Sequence, residues 1–278
     1  MMNYRHSFHA GNFADLVKHA LVLWLLERRQ GSGPVTVIDS HAGAGLYNLT
    51  GDAARSREAE AGIARLMAAA DRPPLIEALA AEVARLNPEG GADLYPGSPV
   101  LVAGRLRPTD RYVGFELNPP VLTLLEQALE PFPQAVGMGG DGYDQAIGWA
   151  ARAQGPFVLI DPPFERPDDY HRAADAGSEI ALADPRAIVA IWTPLKDMET
   201  FDGFLRRLDK SGLKRVLVAE ARLRPLTNPM TMNGCALVVL NPPAGTEAAA
   251  SQVCGWVADR LGETGARSEV WMTGAGPA

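Results

Sequence analysis

A chain of 278 residues, 47% hydrophobic and 21% charged, is long enough to bury a sizeable core as one large domain or two small ones, and excludes a disordered or fibrous polymer. Its two cysteines, Cys235 and Cys254, are too few for a disulfide framework or a zinc-ligand cluster, and a reducing cytoplasm is the expected compartment. The formal net charge of -7 argues against indiscriminate binding to nucleic acid, which needs clustered Lys and Arg, but leaves room for a local basic face.

The opening MMNYRHSFHAGN is polar and aromatic, unlike the basic-then-apolar layout of a signal peptide, and no run approaches 18 uninterrupted apolar residues. A soluble, unexported chain with no membrane partner is expected. Tyr4, Arg5, His6, Phe8 and His9 fall within six residues, joining rings that can stack on bases to groups that can meet phosphates. On pattern alone the same segment is equally a frayed terminus. Asn12 then offers a cap for a helix running to about Arg29, with Phe13, Leu16, Val17, Ala20, Leu21, Trp24 and Leu25 as its apolar stripe. Lys18 and His19 lie at or beside the stripe's edge, where they serve either as a solvated flank or as groups reaching a ligand.

Strand-like runs separated by helix-like segments follow: VTVID (35–39), RYVGFE (111–116), QAVGM (134–138), FVLID (157–161), AIVAIW (187–192) and KRVLVAE (214–220). This alternation calls for a doubly wound, mostly parallel sheet with helices on both faces. One interval breaks the rhythm. Over seventy residues separate the first two runs, and their middle is helical, with Ile63, Leu66, Met67 and Ala70 on one face, then Leu75, Leu79, Val83 and Leu86 on another, divided by DRPP. A helical hairpin, roughly 52 to 92, is therefore inserted into the sheet domain. The last run, CALVVL (235–240), follows a gap too short for a crossover helix and reads as antiparallel to its predecessor; MTGAGPA reads as a frayed tail.

Ligands of open α/β sheets bind at the C-terminal edge of the strands. The first strand closes on an acid, Asp39, and leads into Gly43-x-Gly45, a turn that lets the backbone approach a nucleotide-like ligand, although Asn48 stands where a third glycine would complete the dinucleotide fingerprint. The second ends at Glu116, suited to ribose hydroxyls. The third leads into GDGYD, placing Asp141 and Gly142 at the next tip. Each acid taken alone is an ordinary cap or turn residue; three successive acidic tips beside a glycine turn indicate a nucleoside-containing cofactor.

The stretch FVLIDPPF carries the chemistry. A lone Pro-Pro is commonly just a strand stop, and NPPV (118–121) and NPPA (241–244) read that way. Asp161-Pro162-Pro163-Phe164 adds an acid before the prolines and a ring after them. An exocyclic amine on a base is a poor nucleophile because its lone pair is delocalised into the ring. A carboxylate and a main-chain carbonyl held rigid by prolines can accept both N–H bonds and favour the sp3 nitrogen, while an aromatic side chain stacks on the extruded base.

A glycine-turn strand followed by [D/N]-P-P-[Y/F/W] resembles the S-adenosylmethionine-dependent methyltransferases acting on adenine N6. YRHSFHAGNFADLVKH, DSHAGAGLY, YPGSP, FELNP, GDG and LIDPPF together resemble the RlmJ family of 23S ribosomal RNA adenine-N6 methyltransferases, over nearly the whole chain. The resemblance implies a Rossmann-like class I methyltransferase of seven mostly parallel strands with an antiparallel last pair, residues 1–51 and 93–278 forming the methyltransferase domain and 52–92 an inserted helical subdomain. It implies Asp161 and Phe164 as catalytic residues. It implies a cofactor site of Lys18, His19, His41, Ser98, Glu116, Asp141, Gly142 and Asp161, to which the glycine turn adds Gly43. Tyr4 and His6, in an RNA-contacting segment 1–11, match positions linked to the substrate. Phe164 departs from the more common Tyr, which preserves stacking and removes a hydroxyl. The implied partner is 23S rRNA, protein-free or at early assembly, met by a monomer without metal in the cytoplasm. Alternatives with the same pocket are a DNA adenine-N6 or side-chain amide methyltransferase; one of another class is a non-catalytic nucleic-acid-binding module. A nicotinamide oxidoreductase would leave DPPF unexplained.

Overall fold

The computed structural model describes residues 9–50, 57–227 and 232–273. Tyr4 and His6 lie outside them. Helix α1 (Phe13–Gln30) starts where expected: Asn12 is extended, and its side-chain oxygen accepts from the N–H groups of Ala14 and Asp15 at 2.9 and 3.1 Å. Its apolar stripe is broader than the sequence shows. Every residue from Phe13 to Leu26 is buried, Asp15, Lys18 and His19 included, because α1 packs on the sheet, on the inserted helices and on a late helix at once.

The chain then alternates as β1 (Thr36–Asp39), β2 (Leu46–Asn48), a π-helical turn (Glu60–Ala64) that continues into α2 (Arg65–Ala68), α3 (Pro74–Leu86), β3 (Leu94–Pro96), α4 (Ser98–Ala103), β4 (Arg111–Glu116) and α5 (Pro119–Leu129). There follow β5 (Ala135–Gly139), α6 (Gly142–Ala150), β6 (Phe157–Ile160), α7 (Asp169–Ala183), β7 (Ile188–Leu195), α8 (Met198–Lys210), β8 (Val216–Arg222), β9 (Gly234–Leu240), α9 (Thr246–Leu261) and β10 (Arg267–Thr273).

The main sheet has the order β10-β8-β9-β7-β6-β1-β4-β5. Its centre is parallel and β9 lies antiparallel between β7 and β8, as the short β8–β9 gap requires. Where the sequence suggests seven strands, the described residues form a sheet of eight: β10 adds to the edge, antiparallel to β8, and takes in Met272 and Thr273 from the supposed tail. Period-two alternation sorts β6 between two cores: Phe157 and Leu159 face α1 and α9, while Val158 and Ile160 face α6, α7 and α8.

The insertion has the expected two helices with the break at DRPP, and Ile63, Leu66, Ile76, Leu79 and Val83 join the same core as α1. Its close seat depends on Gly62, where a Cβ would come 2.2 Å from the Gly11 carbonyl oxygen that accepts the Ile63 N–H at 2.8 Å. The strand pair β2–β3, unforeseen in the sequence, clasps the two ends of this excursion together.

Candidate active site

Chain order reverses between β6 and β1: β4 and β5 extend one way, β7 the other. A cavity of about 650 Å³ opens over that switch point, within the range of small-ligand sites. Its wall includes the tips of β6, β1, β4 and β5, the strand β2, Trp192 of β7, and residues of α1 and α7.

The β1 tip is held from below. Asp39 is 1% exposed and accepts from Ser98 Oγ at 2.6 Å and Tyr112 Oη at 3.1 Å. Burial, opposed by these donors and reinforced by the Asp161 charge, pushes its pKa up to about 6. Ser40 Oγ lies 2.7 Å from His41 Nδ1, and the His41 ring meets Tyr143 edge-on at 4.7 Å. Burial drives the His41 pKa down to about 4, so the imidazole is neutral at pH 7. The turn that follows must be glycine at 43. Its φ is +65°, and a Cβ there would lie 2.4 Å from Tyr47 Oη, which accepts the Ala44 N–H at 3.1 Å.

Glu116 closes β4 and accepts the Asn118 N–H at 2.8 Å; burial raises its pKa against the pull of nearby backbone N–H groups. Asp141 caps α6 by accepting from Tyr143 N–H at 3.1 Å, and Arg172 donates to it at 2.9 Å. Although burial would raise its pKa, the guanidinium holds Asp141 below the usual carboxylate value. Gly142 lets α6 begin against β1, since a Cβ would sit 1.7 Å from the Ser40 carbonyl oxygen.

Asp161, at the β6 tip, faces helix α1. Lys18 Nζ donates to its Oδ2 at 2.6 Å and lies 2.7 Å from Asp15 Oδ1, with both α1 side chains almost wholly buried. Asp15 Oδ2 in turn accepts the Gly11 N–H at 2.9 Å. Burial opposes the Lys18 charge, but the two carboxylates prevail and hold its pKa well above the ordinary lysine value. His19, 1% exposed, places Nδ1 2.8 Å from Tyr95 Oη.

The structure thus gathers Lys18, His19, His41, Gly43, Ser98, Glu116, Asp141, Gly142 and Asp161 around one cavity. Phe164 stands apart. It is 6% exposed, adopts φ +50°, and packs its ring against Tyr170 and Trp192 with centroids 4.5 and 5.9 Å away, outside the cavity wall. Three wall residues were not singled out in the sequence: Asp15, Arg172 and Trp192. The i,i+3 spacing of Asp15 to Lys18 was a usable signal, and AIVAIW ends on Trp192, but nothing in the sequence pairs that run with FVLID or places Arg172 beside Asp141. NPPV supplies the start of α5, and in NPPA the Asn241 side chain donates to the carbonyls of Ala181 and Ala187, so both act as structural turns.

Residues 32–273 match the model of the family described as ribosomal RNA large subunit methyltransferase D, RlmJ. The chain is 31% identical over 269 residues to ribosomal RNA large subunit methyltransferase J of Escherichia coli, covering 94% of each, and 30% identical over 280 residues to the protein of that name from Haemophilus influenzae, covering 98% and 99%. A crystal structure of a Legionella pneumophila protein shares the fold, with a TM-score of 0.84 at 24% identity over 95% of this chain and 98% of that one. The matched span runs from the first strand to the last and contains the whole set of strand tips around the cavity, so the chain belongs to the RlmJ family of large-subunit ribosomal RNA methyltransferases.

Proposed function

We propose that this chain transfers a methyl group from S-adenosylmethionine to the exocyclic N6 amine of an adenine in 23S ribosomal RNA. The observation that carries the reading is the position of Asp161: a carboxylate at the central strand tip, before two prolines, at the foot of a cavity whose other end is lined by Glu116 and Asp141. These residues fit a nucleoside sulfonium. Gly43 opens the backbone, Glu116 suits ribose hydroxyls, Asp141 suits an adenine amine, and neutral His41 adds no positive charge beside the sulfonium. Bound S-adenosylmethionine supplies a methyl group already activated by a positive sulfur, so the reading requires no metal.

The work left to the chain is to hold and prepare the amine. Lys18 occupies Asp161 Oδ2, which leaves Oδ1 to accept an amine N–H and favours the pyramidal nitrogen whose lone pair attacks. The proton released from that nitrogen passes to Asp161 or from it to water. Residues 1–51 with 93–278 would form the catalytic domain and 52–92 the inserted helical unit, with Tyr4 and His6 in segment 1–11 gripping RNA. We take the acting species to be a cytoplasmic monomer that meets rRNA before ribosomal proteins cover it. Tritium from labelled S-adenosylmethionine should enter protein-free 23S rRNA, with little entering duplex DNA or assembled subunits. Preferential labelling of DNA would overturn the substrate assignment.

A further inference from the structure

The sequence assigns base stacking to Phe164, yet its ring is buried behind the cavity wall. Another ring stands in front of it. The parallel register pairs Ile160 of β6 with Ile191 of β7, so Asp161, just beyond the end of β6, and Trp192, within β7, are neighbours. Trp192 is partly exposed and lines the cavity with Asp161, Pro162 and Pro163. Its indole nitrogen is buried, so the surface it shows the cavity is aromatic carbon. Phe115, Tyr47 and Tyr143 also border the cavity but are 0%, 5% and 3% exposed, and His41 is engaged with Tyr143 on the Asp141 side.

We propose that Trp192 is the platform on which the target base stacks, with Phe164 serving from behind to fix the tilt of the indole. This rests on the reading of the chain as a base-amine methyltransferase. A flat π-surface beside the carboxylate that receives the amine serves a flipped base from either side of the Asp-Pro-Pro turn, and a tryptophan offers the largest such surface. Tyr170, 4.5 Å from Phe164 and donating its hydroxyl to the Pro194 carbonyl at 3.0 Å, anchors the stack to β7. Phe164 is thereby a positioning residue, and its left-handed backbone is what carries its ring into this pack.

The test compares Trp192→Phe, Trp192→Leu and Phe164→Leu in single-turnover methylation of protein-free 23S rRNA, with S-adenosylmethionine affinity measured calorimetrically on each. Trp192→Leu should lose roughly five- to a hundredfold in rate, the scale of one base–aromatic stack, with cofactor affinity within about threefold of wild type. Trp192→Phe should keep a clearly larger share of the rate. Phe164→Leu should melt at lower temperature and lose less rate than Trp192→Leu. Equal rates for wild type and Trp192→Leu, or a larger loss in Phe164→Leu than in Trp192→Leu, would overturn the inference. Should Trp192→Leu fail to fold, ultraviolet cross-linking of the wild-type protein to RNA decides: the nucleotide adduct is expected on the peptide 187–196, and an adduct on the peptide bearing Phe164 with none on 187–196 refutes it. A wild-type protein that leaves RNA adenines unmethylated would instead sink the function on which the inference rests.

Discussion

Asp161 enters the cavity with half of its carboxylate already engaged, because Lys18 is clamped between it and Asp15 inside the protein. Replacing Asp161 with Asn keeps the shape but removes the charge; turnover should fall by roughly two or more orders of magnitude while cofactor affinity, read by calorimetry, stays within a few-fold. Near-normal turnover would remove the residue from the reaction. Asp15→Asn acts one step back. Without its charge, the Lys18 pKa drops toward the ordinary lysine value, so the alkaline fall of the pH–rate profile should begin at lower pH than in wild type. An unmoved alkaline limb would show that Asp15 does not govern Lys18. At this scale the acids at strand ends were legible, since a strand tip is a linear feature. Trp192 and Arg172 were not, because their nearness to Asp161 and Asp141 comes from the pairing of β6 with β7 and the packing of α6 on α7, which no local pattern encodes.

The turn after β1 carries two groups whose titrations oppose one another. Asp39 has its folded pKa raised from 3.8 to about 6, so its stabilising contribution is full below about pH 3.8 and is lost as pH rises through 6. His41 has its folded pKa lowered from 6.5 to about 4, so its contribution is full above about pH 6.5 and is lost as pH falls through 4. The two slopes share one window with opposite sign. Relative to wild type, Asp39→Asn should therefore make stability rise more steeply from pH 4 to 6, and His41→Gln should make it rise less or fall, both read from urea midpoints across pH. Parallel profiles for all three proteins would contradict the assignment.

The insertion offers a test of element docking: Gly62→Ala should destabilise by about 1–3 kcal/mol, since the new methyl meets backbone rather than a movable side chain, and the melting temperature should drop by several degrees. An unchanged melting temperature would mean that the π-helical turn can slide. The helices of this region were legible because two amphipathic patterns flank a Pro-Pro break. The pair β2–β3 was not, each strand having three residues, and β10 was hidden because an exposed edge strand lacks a buried apolar run.

For the whole molecule, the alternating strand and helix signals determine a doubly wound sheet, and the sheet's reversal between β6 and β1 determines where ligands go. The burial of α1 from Phe13 to Leu26 on every side is a property of assembly: the sheet, α3 and α9 each cover part of it, so Lys18 and His19 become wall residues although their helical positions mark an amphipathic edge. The acidic net charge of -7 argues against a broadly basic RNA-binding surface, so modest salt dependence of RNA affinity is expected compared with a broadly basic RNA binder. A slope of log affinity against log salt as steep as that of a protein making six or more phosphate contacts would contradict this.

The central claim is that Asp161 directs methylation of an adenine amine in ribosomal RNA. It is tested most directly by incubating protein-free, unmodified 23S rRNA with S-adenosylmethionine and either the wild-type protein or Asp161→Asn, then digesting the RNA to nucleosides for mass spectrometry. The account predicts that N6-methyladenosine appears with the wild-type protein and is reduced about a hundredfold or more in initial rate with the variant. No N6-methyladenosine from the wild-type protein, or equal rates from both proteins, would contradict it.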